Sequence, residues 1–462
     1  MDNSANNYRL AIDLSQTQNI PTDPKQRLPF FQAFKQLLKD ERKKIKDWHR
    51  SGTGGREIIQ AHTNLIDEII RHVLRSMAQL EVYAGGDVLE DFSLIAVGGY
   101  GRGELNPLSD IDLLFLLSEK TQPLTKTFIQ DVLSVIWGFG MEIGHSSRTI
   151  KDCVKFAQED LTIKTSMIET RFLIGNRITY DKFCNSIQKK VLQKYVKQFL
   201  NSKLKEKYAG YGHSGGVVCH PEPDIKNGPG GLRDYHSALW ATAVRYGCNS
   251  LREINEEHVL SREEIESLYH SVDFSLRVRN ELHYLTEKKT DILTFGTQKQ
   301  LAANLGYQSS SHSQPVEEFM RDYYLHATNI YTFSQNLFEH CRQSKRSLKK
   351  VISSLTKKAM GNGFHISDSS LIYEGDAKED FKKDKLLLLN ALELCKQHQV
   401  LPDFKLQRQM RLSKNLVNAQ FANTEEVRSF LFSVLKNKTA EKILRLMHET
   451  NILGQILPEF GL

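Results

Sequence analysis

The chain has 462 residues, 40% of them hydrophobic and 25% charged, with a formal net charge of +7. Such a length predicts more than one domain of ordinary globular type, and so mild a charge excess does not argue for a nucleic-acid partner. Six scattered cysteines without a Cys-x-x-Cys pair, a polar start (MDNSANNYRL) and no apolar run near the ~18 residues of a membrane span exclude a disulfide framework, a zinc ribbon and a membrane protein, leaving a reduced, cytoplasmic chain as the expectation.

Leu28–Trp48 carries an apolar patch that runs into a basic helix end, and the SGTGG stretch at 51–55 breaks it. From Arg56 to Tyr83 the apolar residues recur at helical spacing, predicting one long amphipathic helix ended by Gly85-Gly86-Asp87. A strand follows at about Ser93–Val97, then a glycine turn, a strand at about Ile111–Leu117, a helix marked by Phe128, Val132, Val135, Ile136 and Phe139, and a strand from Glu142 to Thr149. That order makes a small α/β unit. Beyond Lys151 helices dominate: Ile265, Leu268, Val272 and Leu276 share one face, as do Val316, Phe319, Met320, Tyr323 and Ala327. Between them PEPDIKNGPGGLRD (221–234) is too rich in breakers for a helix. Arg342–Lys358 is basic and free of acids, read as a solvated face or linker, and Asn362–Gly375 reads as a short hairpin.

The chemistry concentrates in GGYGRGELNPLSDIDLLFLL (98–117). Glycines after a strand let backbone N–H groups approach phosphate oxygens, which gives Gly98 and Gly99 the role of a phosphate cradle. Asp110 and Asp112, two apart at a strand start, project to one face. Their mutual repulsion calls for a cation, and Mg²⁺, or Mn²⁺ in its place, shares oxygen ligands with substrate phosphates in this way. The segment fails as a dinucleotide fingerprint and as a P-loop. Two solvated surface acids are the plain alternative, weakened because LLFLL follows Asp112 and unpaired acids beside a buried strand are costly.

Two glycines, ten residues and D-x-D resemble the signature of the nucleotidyltransferase superfamily. The longer string is similar to the bifunctional uridylyltransferase/uridylyl-removing enzymes that modify the nitrogen-regulatory PII protein. EIGHSSRT (142–149), DLTIKTSMIETRFLIG (160–175), DIKNGPGGLRDYHSALW (224–240), LRVRNELHYLT (276–286), VEEFMRDYYLHA (316–327) and KILRLMHETNILGQILPEFG (442–461) extend the resemblance, in order, over nearly the whole chain after Leu28.

The resemblance implies an α+β fold: a small nucleotidyltransferase α/β domain with a mixed sheet and flanking helices, plus large all-helical domains. The expected division is an N-terminal helical segment (1–55), the nucleotidyltransferase domain with its leading helix (56–175), a helical substrate-binding domain (176–345) and a mostly helical C-terminal region with a hairpin (346–462). It further implies UMP transfer from UTP to a tyrosine of PII, with Asp110 and Asp112 as metal ligands. The superfamily's usual third carboxylate is assigned to Glu142, with Glu169, expected on a helix, as second choice. Arg102, Ser109, Lys226 and Arg233 are assigned to the nucleotide, Arg102 because its fork matches phosphate oxygens. His145, His220 and His236 lack metal-ligand spacing. In the family, PEFG precedes a phosphohydrolase domain with a His-Asp dyad and two ACT domains. This sequence stops at Leu462 without a His-Asp dipeptide, so uridylyl removal and glutamine sensing are not expected of it. Another nucleotide or acceptor, as in adenylylation, and a non-catalytic PII-docking module are the alternatives.

Overall fold

The computed structural model describes residues 20–83, 86–211, 217–247, 253, 262–309, 313–343, 358–367, 370–438 and 440–460. The chain divides into two compact units, one up to Phe338 and one from Glu339.

The first unit begins with helices α1 (Arg27–Arg50) and α2 (Gly55–Ala78). Ile58, Leu65, Ile66, Ile69, Val73 and Met77 of α2 are buried, as the spacing predicts. The helix stops at Ala78, five residues before the expected end; Tyr83 reaches the core from the following turn, its hydroxyl donating to Asp131 at 2.5 Å. Four strands then build a mixed sheet, β1 (Phe92–Val97), β2 (Ile111–Leu117), β3 (Ile143–Thr149) and β4 (Thr170–Gly175), in the order β3-β2-β1-β4. A short helical turn, α3 (Gly98–Gly101), follows β1. Helix α4 (Pro123–Gly138) is the crossover that makes β3 parallel to β2, while β1 runs antiparallel to β2 and β4. Strand alternation sorts the side chains. Phe92, Leu94, Ile111, Leu113 and Phe115 join the core with α2 and α4, whereas Asp112 and Leu114 line a cleft on the other face.

Helices α5 (Ile150–Glu159) and α6 (Leu161–Ile168) connect β3 to β4. Strand β4 is absent from the sequence-based expectation, which places Glu169 on a helix. Glu169 instead occupies the C-cap of α6, one residue before β4. Next come α7 (Arg177–Ile187), α8 (Val196–Gly210), α9 (Leu232–Tyr246), α10 (Arg262–Thr286), α11 (Phe295–Asn304) and α12 (Pro315–Gln343). Leu268, Val272 and Leu276 of α10 pack in one cluster with Ile59 of α2 and Tyr235 of α9. Asp273 of α10 caps α2 from a distance, accepting from the N–H groups of Gly55 at 3.2 Å and Arg56 at 2.8 Å. A Cβ on Gly55 would lie 2.3 Å from the Asp273 carbonyl oxygen, so the two helices meet there without room for a side chain.

The second unit holds a sheet of β5 (Lys358–Gly361), β6 (Phe364–Ser367), β7 (Ser370–Tyr373) and β8 (Leu401–Pro402), in that order. Strands β6 and β7 are the expected hairpin, extended on both sides by strands that periodicity does not reveal. Phe364, Leu371 and Tyr373 pack with Leu388, Leu392, Met410, Val434 and Met447 from the following helices. Residues 344–357 of the basic run lie outside the described residues. No helix among the described residues is long and apolar enough to cross a membrane.

Candidate active site

The glycine turn is anchored from beneath. Tyr100 donates its hydroxyl to Asp67 of α2 at 2.7 Å, and Arg171 of β4 bridges Asp67 at 2.5 Å and the Tyr100 carbonyl at 3.1 Å. Gly98 has φ +62°, which favours glycine. A Cβ on Gly101 would sit 2.0 Å from the Glu169 carbonyl oxygen, so α3 lies flush against the start of β4.

Asp110 is exposed immediately before β2, and Asp112 is half-buried as the second residue of that strand. A Cβ on Gly98 would lie 3.5 Å from Asp112 Oδ2, so turn and acid are neighbours. Burial, then the charge of Asp110, pushes the Asp112 carboxyl above its usual range, offset in part by Lys289. Lys289, in the loop after α10, forms an ion pair with Asp110. Among the described residues no set of three His, Cys, Asp or Glu side chains is gathered for a metal. Two neighbouring carboxylates, the half-buried Asp112 raised by burial and by the charge of Asp110, nevertheless suit Mg²⁺, which takes one or two protein carboxylates and completes its shell with phosphate and water.

The acids open into a cavity of about 770 Å³ whose far wall is basic, with Lys203, Lys207, Lys226, Arg233 and Arg279. The 221–234 segment earns its place by backbone pairing: the N–H of Leu232 donates to Ile225 O at 2.8 Å and that of Arg233 to Lys226 O at 2.7 Å. Lys226 and Arg233 are thereby brought side by side. Neither makes an ion pair among the described residues. Burial, then a neighbouring cation (Arg279 for Lys226, Arg102 for Arg233), lowers the pKa of each. Crowded, half-buried cations of this kind favour an anion.

Arg102 lines the same cleft but is largely committed. Its Nε meets Glu104 at 2.7 Å and its Nη1 meets Glu169 at 2.5 Å. Glu104 also accepts from His236 at 2.8 Å, and the Trp240 indole N–H donates to Glu169. Lys203 and Arg233 lie 4.7 and 5.6 Å from the Trp240 ring centre. Of the residues expected from the sequence, Gly98, Gly99, Arg102, Ser109, Asp110, Asp112, Lys226 and Arg233 all line one cleft. Glu142 does not: it is exposed, precedes β3 and is not among the residues that line the cavity. Position 144, opposite Asp112 on the parallel neighbour, would be the natural place for a third acid, and it is glycine.

Sequence reasoning missed Lys203, Lys207, Trp240 and Lys289, and left Arg279 open between a local ion pair and the cleft; it pairs with Asp291 and lines the cleft. Lys203 and Lys207 left a signal: both fall on the buried face of α8 with Phe199 and Leu200, where lysine is out of place unless paired or functional.

The buried ionic cluster makes stability acid-sensitive. Burial alone would raise Glu104 and Asp291, but His236 and Arg102 around the first, and His283 and Arg279 around the second, hold both below the usual carboxylate range. Burial also lowers His236 and His283, and it pushes His62 down to about 3. Groups with depressed native pKa values contribute stability that is complete above the unfolded value and is lost as pH falls. Calorimetry should therefore show Tm falling from about pH 6.5, as the histidines bind protons on unfolding, and more steeply below about pH 4. A flat profile between pH 7 and 4 would contradict this.

Comparison with known proteins gives three consecutive family matches: a nucleotidyltransferase domain over residues 85–173, the GlnD PII-uridylyltransferase family over 198–338 and the third domain of uridylyltransferase GlnD over 368–456. Similar proteins named bifunctional uridylyltransferase/uridylyl-removing enzyme come from Rhodospirillum rubrum (32% identical over 89% of this chain and 44% of that protein), Nitrobacter winogradskyi (30%, 94% and 48%) and Caulobacter vibrioides (30%, 98% and 49%). The chain spans about half the length of these relatives. With a glycine turn, an acid pair and a basic wall in one cleft, and these matches in series, the chain belongs to the GlnD PII-uridylyltransferase family and contains its nucleotidyltransferase domain.

Proposed function

We propose that the chain transfers UMP from UTP to a tyrosine hydroxyl of the PII signal-transduction protein in the cytoplasm and releases pyrophosphate. The observation that carries the reading is that Gly98, Gly99, Asp110, Asp112, Lys226 and Arg233, separated by up to 135 positions in sequence, face one cavity. Asp110 and Asp112 would hold Mg²⁺, or Mn²⁺, which supplies charge neutralisation on the phosphates. The chain's own residues do the positioning. The Gly98–Gly99 turn seats the phosphates close to Asp112, with Ser109 beside it. Lys226 and Arg233 take the anionic charge of the triphosphate, supported by Lys203, and Arg102 braces the turn. The paired segments 225–226 and 232–233 hold those cations without loop reorganisation, which is the electrostatic preorganisation that phosphoryl chemistry rewards. The sheet with its leading helix α2 serves as the transferase domain, and α8, α9 and α10 with their adjoining loops supply the wall on which substrate rests.

Mass spectrometry of PII incubated with the chain, Mg²⁺ and UTP is expected to show a tyrosine-linked UMP adduct. An adduct formed faster from ATP in competition would replace the nucleotide. Binding of PII without pyrophosphate release from any triphosphate would reduce the chain to a docking module.

A further inference from the structure

Asp110 is assigned to the divalent cation, yet it already has a partner within the chain. Lys289 Nζ pairs with its Oδ2, and among the described residues neither group has a second ion-pair partner. With the two side chains 44% and 57% exposed, the pair is of the weak surface kind, worth about a fivefold shift in an equilibrium at most. A divalent ion carries twice the charge and takes carboxylate oxygen directly, so it can displace the ammonium, but only against that contact.

Lys289 is more than a stray surface lysine, because both ends of its loop are tied down. Glu287, at φ +51°, closes α10, and its N–H donates to His283 O at 3.0 Å. Two residues beyond Lys289, Asp291 is held by Arg279 at 2.7 Å, and its carbonyl accepts from the Ile225 N–H at 2.8 Å. The Leu293 N–H then donates to Pro223 O at 2.9 Å, and Ile292 bridges Asp224. The loop is thereby stitched to the segment that carries Lys226. Lys289 stands between the acid pair and the basic wall, and its field reaches both. It offsets the upward push of burial and Asp110 on the Asp112 carboxyl and, behind burial, Arg279 and Arg233, adds to the lowering of Lys226. On a fixed backbone, its long flexible stem can swing from one to the other.

We infer that Lys289 and the divalent cation compete for Asp110, and that cation entry hands the Lys289 ammonium over to the phosphates on the basic wall. This rests on the cleft being a nucleotidyl-transfer site. Lys289 thereby couples the two ligands. The cation alone must break the ion pair, and the nucleotide alone must draw the ammonium off Asp110. Together they leave each charge with a partner. Such coupling is reciprocal, so each ligand tightens the other by the same factor. The ammonium that has been handed over also sets a positive charge on the phosphates, where negative charge gathers as pyrophosphate leaves.

The test uses the full chain with Lys289→Met, and Lys288→Met as its control. Lys288 is exposed, carries the same charge one position away and is not among the residues that line the cavity. Mn²⁺ binding to the nucleotide-free protein, read by paramagnetic resonance, is expected to tighten about fivefold in Lys289→Met and to stay within about twofold in the control. Lys289→Arg, which keeps the charge, should bind Mn²⁺ as the unmodified chain does. In Lys289→Met the KM for UTP, with PII and Mg²⁺, is expected to move the opposite way and rise about tenfold. Unchanged or weaker Mn²⁺ binding in Lys289→Met, or equal tightening in the control, would overturn the competition. A tightened Mn²⁺ site with an unaltered KM for UTP would overturn the handover. No adduct from the unmodified chain would remove the transferase reading, whereas the Mn²⁺ arm, read on the free protein, would still decide the competition.

Discussion

Asp110→Asn with Asp112→Asn is expected to lower UMP transfer by 10³-fold or more, a loss of about 4 kcal/mol of transition-state stabilisation, while the folded state is kept or slightly strengthened. The two halves of this outcome share one cause. In the free protein the Asp112 carboxyl is pushed up by burial and by Asp110, so its charged form is a cost to the native state. Because its native pKa lies above its unfolded one, stability declines as pH rises through that window, and an amide removes the decline. The same repulsion is what a divalent cation would relieve, so loss of charge removes cation affinity and transfer together. Transfer of labelled UMP, Mn²⁺ binding and urea unfolding at pH 8 check the three readouts. Retained transfer in the double variant would sink the assignment of the acid pair.

Arg102→Ala has the second large expected effect, and it falls on stability before affinity. Removal of the guanidinium leaves Glu104 and Glu169, both largely buried, without the cation that they share. Stripping one partner from a buried ionic cluster costs about 3–5 kcal/mol. Arg102→Lys should recover only part of this, since an ammonium cannot reach both carboxylates with the planar fork. A lowered urea midpoint, with a KM for UTP that changes by less than the stability does, is the expected pattern. An unchanged midpoint with a raised KM would return Arg102 to the phosphate-contact role implied by the sequence alone.

The glycine turn, the acid pair and the strands around them were legible because their spacing is local. A turn after β1 and two acids at i and i+2 are ordered by backbone geometry over some twenty residues. Glu142 illustrates the limit of that logic. Its position at the head of a strand beside β2 was read correctly to within one residue, since β3 starts at Ile143, but Glu142 lies one residue ahead of the paired strand, two short of the position that faces Asp112. The register puts Gly144, not Glu142, opposite Asp112. Glu169 was misplaced for a related reason. Strand β4 is an edge strand with mixed burial and no clean alternation, so its sequence resembles the helix before it.

The sequence by itself determined the nucleotidyl-transfer signature, the small α/β unit and the helical remainder, because each depends on side-chain periods of two or about 3.6 along a continuous stretch. The tertiary structure alone decided which charges meet. Lys289 reaches Asp110 across 179 positions, His236 reaches Glu104 across 132 and Trp240 reaches Glu169 across 71. Such pairs arise from how separate elements dock, and docking is governed by buried apolar faces that carry no record of the polar partners they bring together.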